Sequence, residues 1–126
     1  MRLLLDTHAF LWWLNDDSNL GDAARAAISS SSSTVWISAA TIWEISIKRT
    51  LGKLKVNMDG LMLGIPASGF IELPISAQHG LVAGDLPRHH NDPFDRMLIA
   101  QAQMEELTLV TRDSAFKAYG IRTLPI

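Results

Sequence analysis

The chain predicts an α/β fold: a three-layer α/β/α sandwich around a central, mostly parallel sheet of four to five strands. Two observations carry this. Short strand-like runs alternate with helical stretches from one end to the other. Those runs are apolar at nearly every position, the pattern of strands covered on both faces. A length of 126 residues fits one domain, 1–126, and a 48% hydrophobic content supplies its core. There is no internal repeat and no sign of a second domain.

The elements follow in order. Residues 2–5 (RLLL) predict a short buried strand, and AFLWWL at 9–14 a turn or two of helix. Asp22 to Ile28 is alanine-rich and predicts a helix, which Ser29–Ser33 ends because serine hydroxyls compete for backbone hydrogen bonds. Thr34–Ile37 is β-branched and aromatic and predicts a second strand. Ser38 can cap a helix over about 39–50, stopped by Gly52. Residues 57–69 predict a short helix with loops, Phe70–Ile75 a third strand, and Ser76 the cap of a short helix. Asp92-Pro93 opens a helix to about Glu106, with Asp at the N-cap and Pro at the first helical position. Leu107–Thr111 predicts a fourth strand, 114–118 a helical turn, and Arg122–Pro125 an edge strand, where proline is tolerated.

Composition excludes several functions. The chain has no cysteine, so neither a disulfide framework nor thiolate-bound zinc is open to it. This suits a cytoplasmic protein. The apolar N-terminus is interrupted by Asp6 and His8, is too short to span a bilayer and lacks a signal-peptide cleavage pattern, so no membrane association is expected. A net charge of -2 gives no global field for nucleic acid. A polyanion would need a local basic patch or a bound cation.

Asp6, Glu44, Asp95 and Asp113 each sit where an apolar run ends or is interrupted. Burying a carboxylate is costly unless it is paired or binds metal. In open α/β sheets, sites form beyond the carboxyl ends of the strands. Asp6 follows strand one directly, Glu44 lies early in the helix after strand two, and Asp113 lies two residues past strand four. Connectivity puts these three at one sheet edge. Asp95 joins them if its helix runs antiparallel to the strands. Each acid also has a structural reading. Asp6, Asp95 and Asp113 could cap helices or turns, and Glu44 could pair with Lys48 one turn on. Asp92 reads best as an N-cap.

The stretches LLLDTHAFLWWL, ISAATIWEISIKRTLGKL, LPRHHNDPFDRMLIAQA and LVTRDSAF, in that order, resemble the PIN-domain ribonucleases, and more closely the VapC-type toxins of bacterial and archaeal toxin–antitoxin pairs. The resemblance spans nearly the whole chain. It implies a Mg²⁺- or Mn²⁺-dependent endoribonuclease, homodimeric and held inactive by a small cognate antitoxin. By resemblance, Asp6, Glu44, Asp95 and Asp113 are the acidic metal-site residues. Thr111 matches a supporting hydroxyl, and Asp92 an acid beside the site. The alternative is a non-catalytic PIN-like RNA-binding or scaffolding protein.

Other enzymes of similar topology fit less well. A haloacid-dehalogenase-type phosphatase needs a second Asp where His8 stands, and a phospho-receiver needs an Asp after FIELPI. RNA phosphates would fall to cations near the acids: Lys48 and Arg96 first, with Arg88, His89, His90 and Arg112 in the same stretches. The four histidines have no zinc spacing. Trp12, Trp13, Trp36 and Trp43 read as core or interface, and AFLWWL carries more apolar surface than one helical stripe buries, so part of it is expected to meet a partner chain.

Overall fold

The computed structural model describes residues 1–126. Its strands are β1 (Arg2–Leu5), β2 (Thr34–Ser38), β3 (Ile71–Leu73), β4 (Thr108–Val110) and β5 (Thr123–Leu124). Its helices are α1 (Thr7–Leu14), α2 (Asp22–Ser29), α3 (Ala39–Thr50), α4 (Met58–Ala67), α5 (Ala77–Asp85) and α6 (Pro93–Glu105), followed by a 3₁₀ helix over Ser114–Tyr119. The five strands form one sheet in the order β3-β2-β1-β4-β5, and every pairing is parallel.

Side-chain alternation in β1 shows how the layers arise. Leu3 and Leu5 point into a core shared with Phe10 of α1, Ile28 of α2, Ile45 of α3 and Ile65 of α4. Leu4 points the other way, into a core with Ala83 of α5, Leu98 and Ile99 of α6, and Phe116. All three leucines are fully buried. A strand so placed has no solvent face to keep polar, which is why RLLL does not alternate.

Sequence and structure part at a few elements. β3 is confined to Ile71–Leu73. Phe70 instead uses its N–H on the Ile65 carbonyl at the end of α4 and packs into the α1–α4 core. Pro74 then removes the next ladder donor. α1 starts at Thr7, two residues earlier than expected, because the Asp6 carboxylate accepts the Ala9 N–H and caps it (2.8 Å).

The AFLWWL surface is also not a free apolar patch. Phe10 is buried, while Leu11, Trp12, Trp13 and Leu14 pack against the core. Trp13 donates its indole N–H to Ser68 and tilts against Phe70. No helix of the chain is long and apolar enough to cross a membrane.

Strand order determines where a site can form. From β1 the chain crosses one way to β2 and β3, and later returns to place β4 on the other side of β1. The connections leaving the carboxyl ends of β1 and β4 therefore run to opposite sides, leaving a crevice there. The Asp6 N–H still bonds the Val110 carbonyl (3.1 Å), so the ladder holds Asp6 at that crevice.

Candidate metal centre

Asp6, Glu44, Asp95 and Asp113 all line one cleft of about 440 Å³ beyond the carboxyl ends of β1 and β4. Asp92, Lys48 and Arg112 line it too. Four elements deliver the acids. Asp6 is fixed by β1 and by capping α1. Glu44 enters from α3, whose start is set by Ser38: its hydroxyl accepts the Ala40 N–H and donates to Gln101 of α6 (2.6 Å). Asp95 sits in the first turn of α6, where Asp92 accepts the N–H groups of Phe94 and Asp95. Asp113 caps the 3₁₀ helix through Ala115 (2.9 Å). α6 runs antiparallel to the strands and so begins at the cleft.

The capping and ion-pair readings are therefore present in the structure along with the convergence. Asp6, Asp92 and Asp113 cap with one carboxylate oxygen, and Glu44 pairs with Lys48 at 2.7 Å. A carboxylate has two oxygens, so a cap leaves the other available to the cleft.

Burial and crowding set the electrostatics. Asp6 and Glu44 are each only 7% exposed. Burial raises the Asp6 pKa, while the Ala9 N–H and the Thr111 hydroxyl oppose the rise. Thr111 also accepts the Asp113 N–H, which ties two of the acids together (3.1 Å). Glu44 accepts the Thr7 hydroxyl on its other oxygen, and its contact with Lys48 raises the ammonium's pKa. Asp95 is the most perturbed: burial, with Asp92, Glu44 and Asp6 nearby, raises it to about 7. An acid held protonated so far above its usual range marks a place where positive charge is wanted.

His90, which the sequence offered only as a cation for RNA phosphate, stands instead among the acids. Its Nε2 lies 3.1 Å from Asp95 and 3.5 Å from Asp113. Its Nδ1 accepts the Asp92 N–H (3.1 Å), and its ring stacks on Phe116. A ring whose Nδ1 accepts carries its proton on Nε2. The Nε2–H of His90 therefore lies beside the two carboxylates at ion-pair distance and presents no lone pair there for a metal. The signal was HHND, a histidine two residues before an N-cap aspartate, and only the loop's fold makes it readable. Thr7, beside Asp6, was missed.

Arg96 corrects an expectation. It is 9% exposed, and its guanidinium donates to the carbonyls of Ala83, Gly84, Leu86, Pro87 and His90. It holds the α5–α6 loop and has nothing to offer a phosphate. Lys48 does line the cleft, but engaged with Glu44.

The donor set fits a hard divalent cation. Oxygen donors from several carboxylates, with room for water, suit Mg²⁺ or Mn²⁺ rather than a thiophilic or imidazole-seeking ion.

A family model for the PIN domain matches residues 3–121. The chain belongs to the PIN-domain family. No curated protein matches it significantly. Among solved structures it resembles VapBC2 from Rickettsia felis bound to a DNA fragment from their promoter, at a TM-score of 0.74 and 20% identity over 99% of this chain and 98% of that one. DNA-bound VapBC from Salmonella typhimurium gives a TM-score of 0.67 at 20% identity, covering 99% and 98%. FitAB bound to IR36 DNA gives 0.69 at 18% identity, covering 98% and 94%. At these identities the likeness establishes a shared fold. The all-parallel five-stranded sheet is thus the architecture of a PIN domain.

Proposed function

We propose that this PIN-domain protein is a Mg²⁺- or Mn²⁺-dependent endoribonuclease that acts as the toxin of a toxin–antitoxin pair. The observation that carries the reading is the convergence of Asp6, Glu44, Asp95 and Asp113 on one cleft, with Asp95 strongly perturbed. A non-catalytic scaffold has no use for a cluster this costly.

Asp6 and Asp95 are the direct ligands in this reading; both line the cleft, Asp6 buried and Asp95 half-buried. Glu44 and Asp113 complete the set, directly or through water. When bound, the ion supplies positive charge against the phosphate and activates water for attack. The chain's own work is positional. Thr111 orients Asp6, Thr7 orients Glu44, and Asp92 fixes the α6 turn that presents Asp95. Asp95 would give up its proton to hold the cation. In-line hydrolysis leaves a 5′-phosphate and a 3′-hydroxyl.

The VapBC and FitAB structures support an antitoxin as partner. Exposed apolar side chains support further protein contacts, antitoxin or a second copy in a homodimer. Trp43, Leu63 and Leu81 are 62%, 70% and 60% exposed, and a groove of about 760 Å³ runs past Ile42, Trp43, Met58 and Met62. Purified, antitoxin-free protein should cleave single-stranded RNA with Mg²⁺ or Mn²⁺ and lose all cleavage with a chelator. RNA binding without metal-dependent cleavage would instead favour the scaffold reading.

A further inference from the structure

One cation lining the cleft is claimed by no carboxylate and no carbonyl. Lys48 is spent on Glu44, and Arg96 lies outside the cleft lining with its guanidinium spent on main chain. Arg112, between Thr111 and Asp113, is exposed and makes neither a salt bridge nor a side-chain hydrogen bond, although acids line the same cleft. Its guanidinium lies over the Trp12 indole, 4.8 Å from the ring centroid. Trp12 in turn is braced by the His8 ring at 5.6 Å.

This arrangement is informative because the easier resting place for an arginine beside an acidic cluster is a carboxylate. Stacking holds the charge at the cleft while leaving the planar fork of N–H donors free. Trp12 lies six residues beyond Asp6 along α1, a rise of roughly 9 Å. Held on Trp12, the guanidinium lines the same cleft without being drawn onto an acid, and is placed for a phosphate of the strand whose scissile group the carboxylates would face.

Resting on the ribonuclease reading above, we infer that Arg112, pinned on Trp12, binds a backbone phosphate flanking the scissile one. An acidic protein thereby gains a local anchor for RNA. Each phosphate neutralised on a single strand contributes about 0.7 to the slope of log affinity against log salt. One contact is therefore worth about five-fold in affinity between 1 M and 0.1 M salt.

The test is fluorescence anisotropy with a single-stranded oligouridylate between 50 and 200 mM NaCl. The protein is the full chain carrying Asp95→Asn, so that the probe is not cut. Adding Arg112→Gln should weaken binding about five-fold at 0.1 M and lower the slope by about 0.7. Arg112→Lys should keep the slope, and Trp12→Ala should weaken binding while leaving most of the slope, because the charge remains but is no longer held. A lower melting temperature for Arg112→Gln with an unchanged slope would make the stacked pair purely structural and overturn the inference. An unchanged slope with unchanged stability overturns it equally. Failure of the Asp95→Asn parent to bind RNA at all would remove the inference together with the ribonuclease reading, whereas a slope that fails to move removes the inference alone.

Discussion

The two halves of the cleft treat their carboxylates differently. On one side, Asp6 is supported by the Ala9 N–H and the Thr111 hydroxyl, and Glu44 by Thr7 and Lys48. These acids have hydrogen-bond partners that offset part of the cost of burying them. On the other side, Asp95 and Asp113 have only the His90 imidazole beside them, and Asp95 faces Asp92, Glu44 and Asp6 besides. The α6 turn uses the Asp92 carboxylate to bind the backbone of Asp95, which brings a second negative charge close to it. The first half is a built scaffold. The second half is left short of positive charge, and that shortage is what a cation would relieve.

The largest effect should separate the halves by substitution. Asp95→Asn and Asp6→Asn should each lower metal-dependent cleavage by about 10³-fold or more while the fold persists. Their metal-free stabilities should diverge. Asp95→Asn removes a repelled charge and should raise the melting temperature at pH 8 by roughly 3–5 °C, whereas Asp6→Asn should not raise it. Equal shifts in a thermal melt would erase the distinction.

Stability against pH should show the same asymmetry. Asp95 has a folded pKa of about 7 against 3.8 for the free side chain, so the native state holds the proton longer than the unfolded chain. Its contribution is therefore fully present below about pH 4, drains as pH rises towards 7, and is flat above. Denaturant midpoints of chelator-treated protein should fall over that window, and Asp95→Asn should remove the fall. A curve unaltered by the substitution would place the perturbed group elsewhere.

His90 sharpens the comparison. His90→Ala removes the ring that lies beside Asp95 and Asp113 and opposes the rise in the Asp95 pKa, so the pH at which Mn²⁺ binding reaches half strength should move upward. At pH 8 and saturating metal, cleavage should stay within about ten-fold of the parent, because the ring is a stand-in for positive charge and not a ligand. Loss as deep as that of Asp95→Asn would make His90 part of the chemistry.

The smallest effect lies outside the cleft. The Thr41 hydroxyl on α3 is buried without a hydrogen-bond partner. Thr41→Val should stabilise the protein by about 1 kcal/mol by removing an unsatisfied group, and leave cleavage unchanged.

Much of this was legible in the chain, and the reason is locality. Ser38 before AATIWE and Asp92-Pro93 before FDRM specify where α3 and α6 begin within a residue or two. Helices that start at one sheet edge present their early turns there, so connectivity placed Glu44 at that edge and allowed Asp95 there, while their metal-site role came from the family resemblance. What escaped depends on contacts between segments far apart or on loop geometry. Arg96 looks like a cleft cation because it follows Asp95, yet one position along a helix turns a side chain by about 100°, here onto the α5–α6 loop carbonyls. His90 acquires its role only from the bend that brings its Nδ1 to the Asp92 N–H. The exposure of Trp43 beside a buried Glu44 was hidden for the same angular reason, and its neighbour Phe94 comes from another helix.

The most direct measurement is a calorimetric Mn²⁺ titration at pH 6 and pH 8, each in two buffers of different ionisation enthalpy. If Asp95 binds the ion and titrates near 7, binding should release about 0.9 proton at pH 6 and about 0.1 at pH 8, and Asp95→Asn should abolish both the release and the tight site. Tight binding with no proton release at pH 6, or binding that survives Asp95→Asn unchanged, would contradict a metal site centred on Asp95.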